Sequence, residues 1–158
     1  MGRPNREDES VPPGETAPEL GREEEASLQL ILAMGRASKI VDDYVRPRLL
    51  KLGLTLTEFS VLSVLYRRGP TPLGELSERI LLTGASTTYT VKKLEERGLL
   101  QRRPRKEDHR VILGGITNTG RQLLDHILPL HAKALAEATR SISTKEKRAI
   151  IKLLRKLF

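Results

Sequence analysis

The stretch STTYTVKKLEERGLLQRRPRKEDHRVILGGITNTG, Ser86 to Gly120, changes its repeat half-way. Up to Glu96 it has helical period: Val91 and Leu94 share a face, and steps of 100° per residue bring Gly84 and Thr87 to that side. Gly98 is a left-handed C-terminal stop. Beyond it, Leu99-Leu100-Gln101-Arg102-Arg103 and Arg110-Val111-Ile112-Leu113 read as two strands around the charged loop Pro104 to His109. A helix followed by a basic hairpin is the second half of a winged helix-turn-helix.

Working outward, Thr71 as N-cap with Pro72 at the first helical position opens a short helix through about Leu81, and a turn at Leu82 to Gly84 follows. Thr55 or Thr57 caps the helix before it, which carries Phe59, Val61, Leu62, Val64 and Leu65 and stops at Gly69-Pro70. From Glu23 to Lys51 the period is again helical, with Ile31, Met34, Val41, Tyr44 and Val45 on one side and Leu28, Leu30, Ile40 and Leu49 widening it. Pro47 is expected to kink that helix or end its regular part. Downstream, Thr117 caps a long helix bearing Leu123, Leu124, Ile127, Leu128, Leu130 and Leu135, and Ser143 with Glu146 forms a capping box for a last helix with Ile150, Leu153, Leu154 and Leu157.

The expected fold is mainly α with a small β-hairpin: a winged helix-turn-helix lobe plus N- and C-terminal dimerisation helices. The helix-turn-helix spans about 71–97, the wing about 99–116, and the dimerisation helices about 23–52, 117–140 and 143–158. Three long amphipathic helices exceed what one small central core can cover, so a symmetric homodimer is expected; a monomer folding them onto itself stays open. Residues 1–22, dense in Pro, Gly and charge, read as a disordered acidic tail, leaving 23–158 as a single domain.

Composition narrows the function. The 158 residues hold no cysteine, which excludes disulfides, thiolate metal sites and thiol chemistry. No apolar run approaches the ~18 residues that span a bilayer, and MGRPNREDES lacks a secretory signal, so a cytoplasmic chain with no membrane partner is expected. Aromatics at 3% are too few for the stacking platforms of a single-strand reader. The net charge of +8 hides an asymmetry: residues 1–25 carry eight acidic against three basic side chains, so the remainder carries an excess of thirteen positive charges. Such an excess suits a polyanion, because Lys and Arg on phosphates release condensed counterions.

On the helix before Gly98, the face opposite Val91 and Leu94 presents Ala85, Ser86, Tyr89, Lys92, Lys93 and Glu96. Small hydroxyls at its start and lysines farther along suit a helix whose first turns enter a major groove, where Ser and Thr bond base edges or phosphates. The candidates there are Ser86, Thr88, Tyr89, Thr90, Lys92 and Lys93. Between Arg97 and Arg110 six basic residues face two acidic ones, Glu107 and Asp108. A hairpin this basic can grip phosphates or put an arginine into a minor groove. The wing candidates are Arg102, Arg103, Arg105, Lys106, Asp108, His109 and Arg110. The alternatives are helix capping for the hydroxyl run and a solvated loop whose edge charges block aggregation.

Four segments together resemble the MarR family of bacterial transcriptional regulators: LTLTEFSVLSVL (Leu54 to Leu65), PLGELSERI (Pro72 to Ile80), STTYTVKKLEERGLLQRR (Ser86 to Arg103) and EDHRVILGGITNTGRQLL (Glu107 to Leu124). The resemblance covers about Leu28 to Leu130. It implies a homodimer on a pseudopalindromic double-stranded operator, with recognition helices in major grooves and wings in flanking minor grooves. It also implies repression relieved by a small, often aromatic, organic effector in the cleft between dimer helices and DNA-binding lobe, whose pocket residues the sequence does not reveal. By position it makes Arg110 the wing-tip arginine and Asp108 the carboxylate that orients it. Gly114-Gly115 departs from the family's unbroken strand, so a short or bulged second wing strand is expected.

No cofactor and no metal site are expected: His126 and His131 are five apart on a helix, hence on different faces, and His109 lies on the wing. No Gly-rich phosphate loop, HExxH or GxSxG appears, so no catalytic residue is named. Two other functions stay open at this point: a nonspecific architectural DNA binder, and a winged-helix adaptor docking on protein. The last helix sets Lys145, Lys147, Arg148, Lys152, Arg155 and Lys156 against Glu146 alone and reads as a solvated face.

Overall fold

The computed structural model of the chain describes residues 20–80 and 84–157. Of the expected tail, residues 1–19 lie outside the described residues, as do residues 81–83, which hold the end of the expected short helix and the start of the turn after it. By internal contacts the chain divides into residues 1–36 and 37–158. In the first unit the described part is the opening of helix α1 (Arg22–Lys51), where Leu28, Leu30, Ile31 and Leu32 are all exposed. In the second, α1 ends on Gly53 (φ 81°): its N–H donates to the Leu50 carbonyl and that of Leu54 to Leu49, the paired bonds of a Schellman stop. Leu49 and Leu54 are thereby delivered into the core. Pro47 does not end the helix, which runs on to Lys51.

Helix α2 (Leu56–Arg68) starts at a complete capping box: the Thr55 hydroxyl accepts from the Glu58 N–H, and the Glu58 carboxylate accepts from the Thr55 N–H at 2.8 Å. After its stop at Gly69 the expected N-cap and first helical residue, Thr71 and Pro72, instead form strand β1 (Thr71–Pro72), and helix α3 (Leu73–Arg79) begins one residue later. The Thr71 hydroxyl donates to the Gly69 carbonyl rather than capping. A two-residue strand has no period to read, and its partner lies forty residues away, which is why sequence pattern missed it.

Helix α4 (Gly84–Glu96) ends as expected at Gly98, φ 66°, in a second Schellman stop: Gly98 donates to Glu95 and Leu99 to Leu94. Strands β2 (Leu100–Pro104) and β3 (Ile112–Ile116) follow, and the sheet order is β1-β3-β2, all antiparallel. The register from Leu100↔Ile116 to Pro104↔Ile112 is unbroken, so the expected shortening or bulge at Gly114-Gly115 is absent. Gly114 is bare for a packing reason: a Cβ there would sit 3.1 Å from Leu73 and 3.8 Å from Leu65.

Thr117 caps α5 (Asn118–Ala138), and its hydroxyl both accepts from the Gly120 N–H and donates to the Gly98 carbonyl at 2.7 Å. The start of α5 is thus laid on the turn that ends α4. Ser143 and Glu146 form the expected box for α6 (Thr144–Leu154), which is followed by a 3-10 turn (Arg155–Leu157). The core of the second unit joins Leu49, Leu54, Phe59, Leu62, Leu65, Leu76, Val91, Leu94, Leu99, Leu100, Leu124 and Ile127, so every helix of the lobe contributes. By contrast α6 buries no residue, and Ile150, Ile151, Leu153 and Leu157 are 43 to 62% exposed. No single helix among the described residues is long and apolar enough to cross a membrane.

A Cβ at Gly120 would lie 2.2 Å from the Leu99 carbonyl oxygen, backbone against backbone. Gly120→Ala is therefore expected to destabilise the fold by about 3 kcal/mol. Gly115→Ala, whose Cβ meets nothing nearer than 3.8 Å, should change it by less than ~1 kcal/mol; urea unfolding of both variants checks the contrast.

Candidate nucleic-acid interface

Helix α4 turns Thr87, Thr90, Val91 and Leu94 inward and leaves Ala85, Ser86, Thr88, Tyr89, Lys92, Lys93 and Glu96 exposed. Tyr89, 69% exposed, is the largest group on that face. The expected face is present with one exception. Thr90 is 6% exposed and its hydroxyl donates to the Ser86 carbonyl, which withdraws it from the outer surface. Gly84, expected inward, is exposed. Thr88 is exposed, with its hydroxyl donating to the Gly84 carbonyl at 2.9 Å.

Two acidic residues on α4 and α2 organise the bases around them. Glu95 takes Arg102 of β2 in a fork, with the guanidinium 2.5 and 2.8 Å from one carboxylate oxygen, and the Arg102 N–H donates to the other at 3.2 Å. This bonding holds the Glu95 carboxyl below its ordinary range. Arg102, expected to contact nucleic acid, is exposed and ties β2 to α4 through this pair. Glu58, which sequence reasoning passed over, is 3% exposed. Burial pushes its carboxyl up, but the Thr55 N–H and hydroxyl, then the Arg97 and Lys93 charges, outweigh that and hold it below the usual carboxylate value. Arg97 lies 3.2 Å away and also donates to the Gly53 carbonyl at 2.7 Å, while Lys93 stands at 3.8 Å. The available signal was the Thr-x-x-Glu spacing from Thr55, which reads as a cap and gives no hint of the arginine 39 residues on.

The wing exposes Arg103, Lys106, His109 and Arg110, with Arg105 half-buried. Among the described residues none of these has an ion-pair partner. Asp108 does act on Arg110, through the main chain: its carboxylate accepts the Arg110 N–H at 3.0 Å and its carbonyl accepts from Val111. It shapes the tip turn, and among the described residues no ion pair joins Asp108 to the Arg110 guanidinium that the resemblance has it orient.

A cavity of about 1080 Å³ opens between α2, the end of α3 and α5. Phe59, Val64, Leu128 and Leu135 supply its apolar wall, and Arg67 and Arg79 its charge. His131 meets Phe59 in a tilted contact, ring centroids 4.3 Å apart, and burial holds its pKa down, so the ring is neutral near pH 7. The Ser63 hydroxyl at its edge is buried with no hydrogen-bond partner. Among the described residues no three His, Cys, Asp or Glu side chains come together as a metal site; His109, His126 and His131 stand apart.

With this geometry in place, comparison with known proteins gives the family. The MarR family profile matches residues 54–112. The regulator MhqR of Bacillus subtilis, an HTH-type transcriptional regulator, is 37% identical over 133 residues, covering 84% of this chain and 92% of its own. The chain belongs to the MarR family. MarR proteins are DNA-binding transcriptional regulators and not enzymes, and this chain has their winged-helix fold. Among solved MarR structures, Sco3205 of Streptomyces coelicolor, crystallised with DNA, superposes with a TM-score of 0.75 at 19% identity, over 91% of both chains. BpsR of Bordetella bronchiseptica, whose DNA binding is regulated by 6-hydroxynicotinic acid, gives 0.69 at 24%, over 89% of this chain and 97% of its own.

Because Glu58 is held ionised in the fold, its contribution to stability is full above the ordinary carboxylate pKa of about 4 and is lost as pH falls through the lower folded value. Glu58→Gln is expected to cost about 2 kcal/mol at pH 7. That deficit should stay constant from pH 8 to 5 and narrow below about pH 4, as read by urea unfolding across pH.

Proposed function

We propose that this MarR-family chain is a sequence-specific repressor acting as a homodimer on a pseudopalindromic double-stranded operator, and that a small organic effector releases it. The observation that carries the reading is the set of unpaired cations on the wing, Arg103, Lys106 and Arg110, set on the same rigid frame as the exposed face of α4. Ser86, Thr88, Tyr89, Lys92 and Lys93 would meet the major groove, and Arg110 the minor groove, with Arg103, Arg105, Lys106 and His109 along the phosphates. Asp108 and Arg102 serve by shaping the wing and bracing it. The complex that Sco3205 makes with DNA supports this use of the fold.

The bare apolar side of α6 supports the dimer. A chain that leaves Ile151, Leu153 and Leu157 at 50 to 62% exposure has made α6 for a partner surface. Residues 23–158 then work as one domain, with 23–52, 117–140 and 143–158 as its dimerisation layer, in the cytoplasm where the DNA is. For the effector, the cavity walled by Phe59, Ser63 and His131 is the fitting place, because its occupant presses on α2, and α2 holds α4 through Glu58. The regulation of BpsR by 6-hydroxynicotinic acid supports release by a compound of that size.

Anisotropy titration of a labelled duplex from the region upstream of the gene should give an affinity ~10³-fold or more above that for a scrambled duplex. Arg110→Ala should remove most of the difference. Equal affinity for both duplexes would count for an architectural binder, and no binding at low salt for an adaptor. Light scattering should give twice the chain mass, and Leu153→Glu should yield monomer; a wild-type monomer at micromolar concentration would end the dimer reading.

A further inference from the structure

A second concavity, about 600 Å³, lies on the flank of the recognition helix, away from the wing. Its walls are Arg46 from the end of α1, Thr55 and Thr57 from the start of α2, and Ser86, Tyr89 and Lys93 from α4, with Glu58 beneath. Neither the recognition face nor the wing includes Arg46. We infer that this groove seats a backbone phosphate of bound DNA, held between Arg46 and Lys93, as a third anchoring point of each protomer. The inference rests on the duplex-binding reading above and adds to it a contact made from outside the helix-turn-helix.

Charge accounts for it. Glu58, the one carboxylate in the groove, is already satisfied: it accepts the Thr55 N–H at 2.8 Å and the Thr55 hydroxyl at 3.0 Å, and Arg97 at 3.2 Å matches its charge. The ammonium of Lys93, at 3.8 Å and 49% exposed, adds little to that pair and is able to swing outward to an anion. Arg46 is exposed, and among the described residues it has no ion-pair partner. Arg46 and Lys93 therefore line the groove beside a carboxylate whose charge Arg97 already matches, which leaves a local positive excess. The lining also carries the hydroxyl groups of Thr57 and Tyr89, a donor type that phosphate oxygens take, beside the apolar Ala85.

Geometry selects a polymer phosphate over a free small anion. One wall of the groove is α4 itself, and Ser86, Tyr89 and Lys93 belong both to the groove and to the exposed recognition face. A strand whose bases lie against that face runs its backbone along the edge where Arg46 stands. The cation contributes position and salt dependence without reading sequence.

The test is the slope of log K against log salt concentration for the full chain, on the upstream duplex and its scrambled counterpart. Arg46→Ala should reduce the slope by about 0.9 per protomer and weaken both duplexes by the same factor. Arg46→Lys should restore the slope, since a phosphate needs a charge there and not a planar fork. Arg148→Ala, which removes an equal charge from α6, should leave it unchanged. An unaltered slope in Arg46→Ala, or an equal fall in Arg148→Ala, would overturn the phosphate seat while leaving duplex binding intact. A wild-type protein that binds neither duplex would remove both readings together, and a loss confined to the upstream duplex would make Arg46 a base reader and overturn the seat.

Discussion

A carboxylate buried among hydroxyl, amide and guanidinium donors governs where the recognition helix stands. Glu58 closes the capping box that starts α2, and the same group receives Arg97 at the end of α4, whose second nitrogen returns to the Gly53 carbonyl in the turn after α1. Three elements meet at one charge. An unpaired buried carboxylate is costly, so each element fixes the other two: a shift of α4 strips Arg97 from Glu58, and a shift of α1 strips Arg97 from Gly53. The apolar core around Leu62, Leu65 and Leu94 fixes only the distance between helices, because leucine packing tolerates small rotations that the directed bonds of a guanidinium do not.

The parts of the fold legible in the sequence were those encoded by local chemistry. Gly98 announced a left-handed stop, and its neighbours Leu94 and Leu99 make the bonds that stop requires. Thr117 and the Ser143-Glu146 pair announced helix starts at the right residues. What escaped was set by partners far along the chain. Thr71-Pro72 looks like a helix opening and becomes a strand because β3 lies beside it. Gly114-Gly115 looks like a weakness in a strand and is continuous β because Leu73 needs the room.

The same division runs through the interface. The exposed face of α4 follows from its period, and the run of bases on the wing follows from counting. Their division of labour does not. Arg102 and Arg103 are neighbours of one residue type, yet the first pairs with Glu95, whereas Arg103 has no ion-pair partner among the described residues. Thr88 and Thr90 both bond back four residues, but one lies exposed on the outer face and the other is buried. Asp108 acts on Arg110 through a backbone amide, a partner that no side-chain pattern advertises.

The Glu95–Arg102 strut has a consequence for how such a surface measures length. Helix and hairpin are clamped near the root of the wing, with the strand register unbroken from Leu100 to Pro104. The interval from α4 to the root of the hairpin is therefore a dimension of the protein, as fixed as the distance between two teeth of a gauge. On the proposed reading, a double helix laid against it must present its two grooves at that interval, in phase with its own turn. Inserting one base pair between them would advance one groove by about 3.4 Å along the axis and rotate it by roughly a tenth of a turn. With Arg102 bonded to Glu95 through both side chain and backbone, the wing has little freedom to follow.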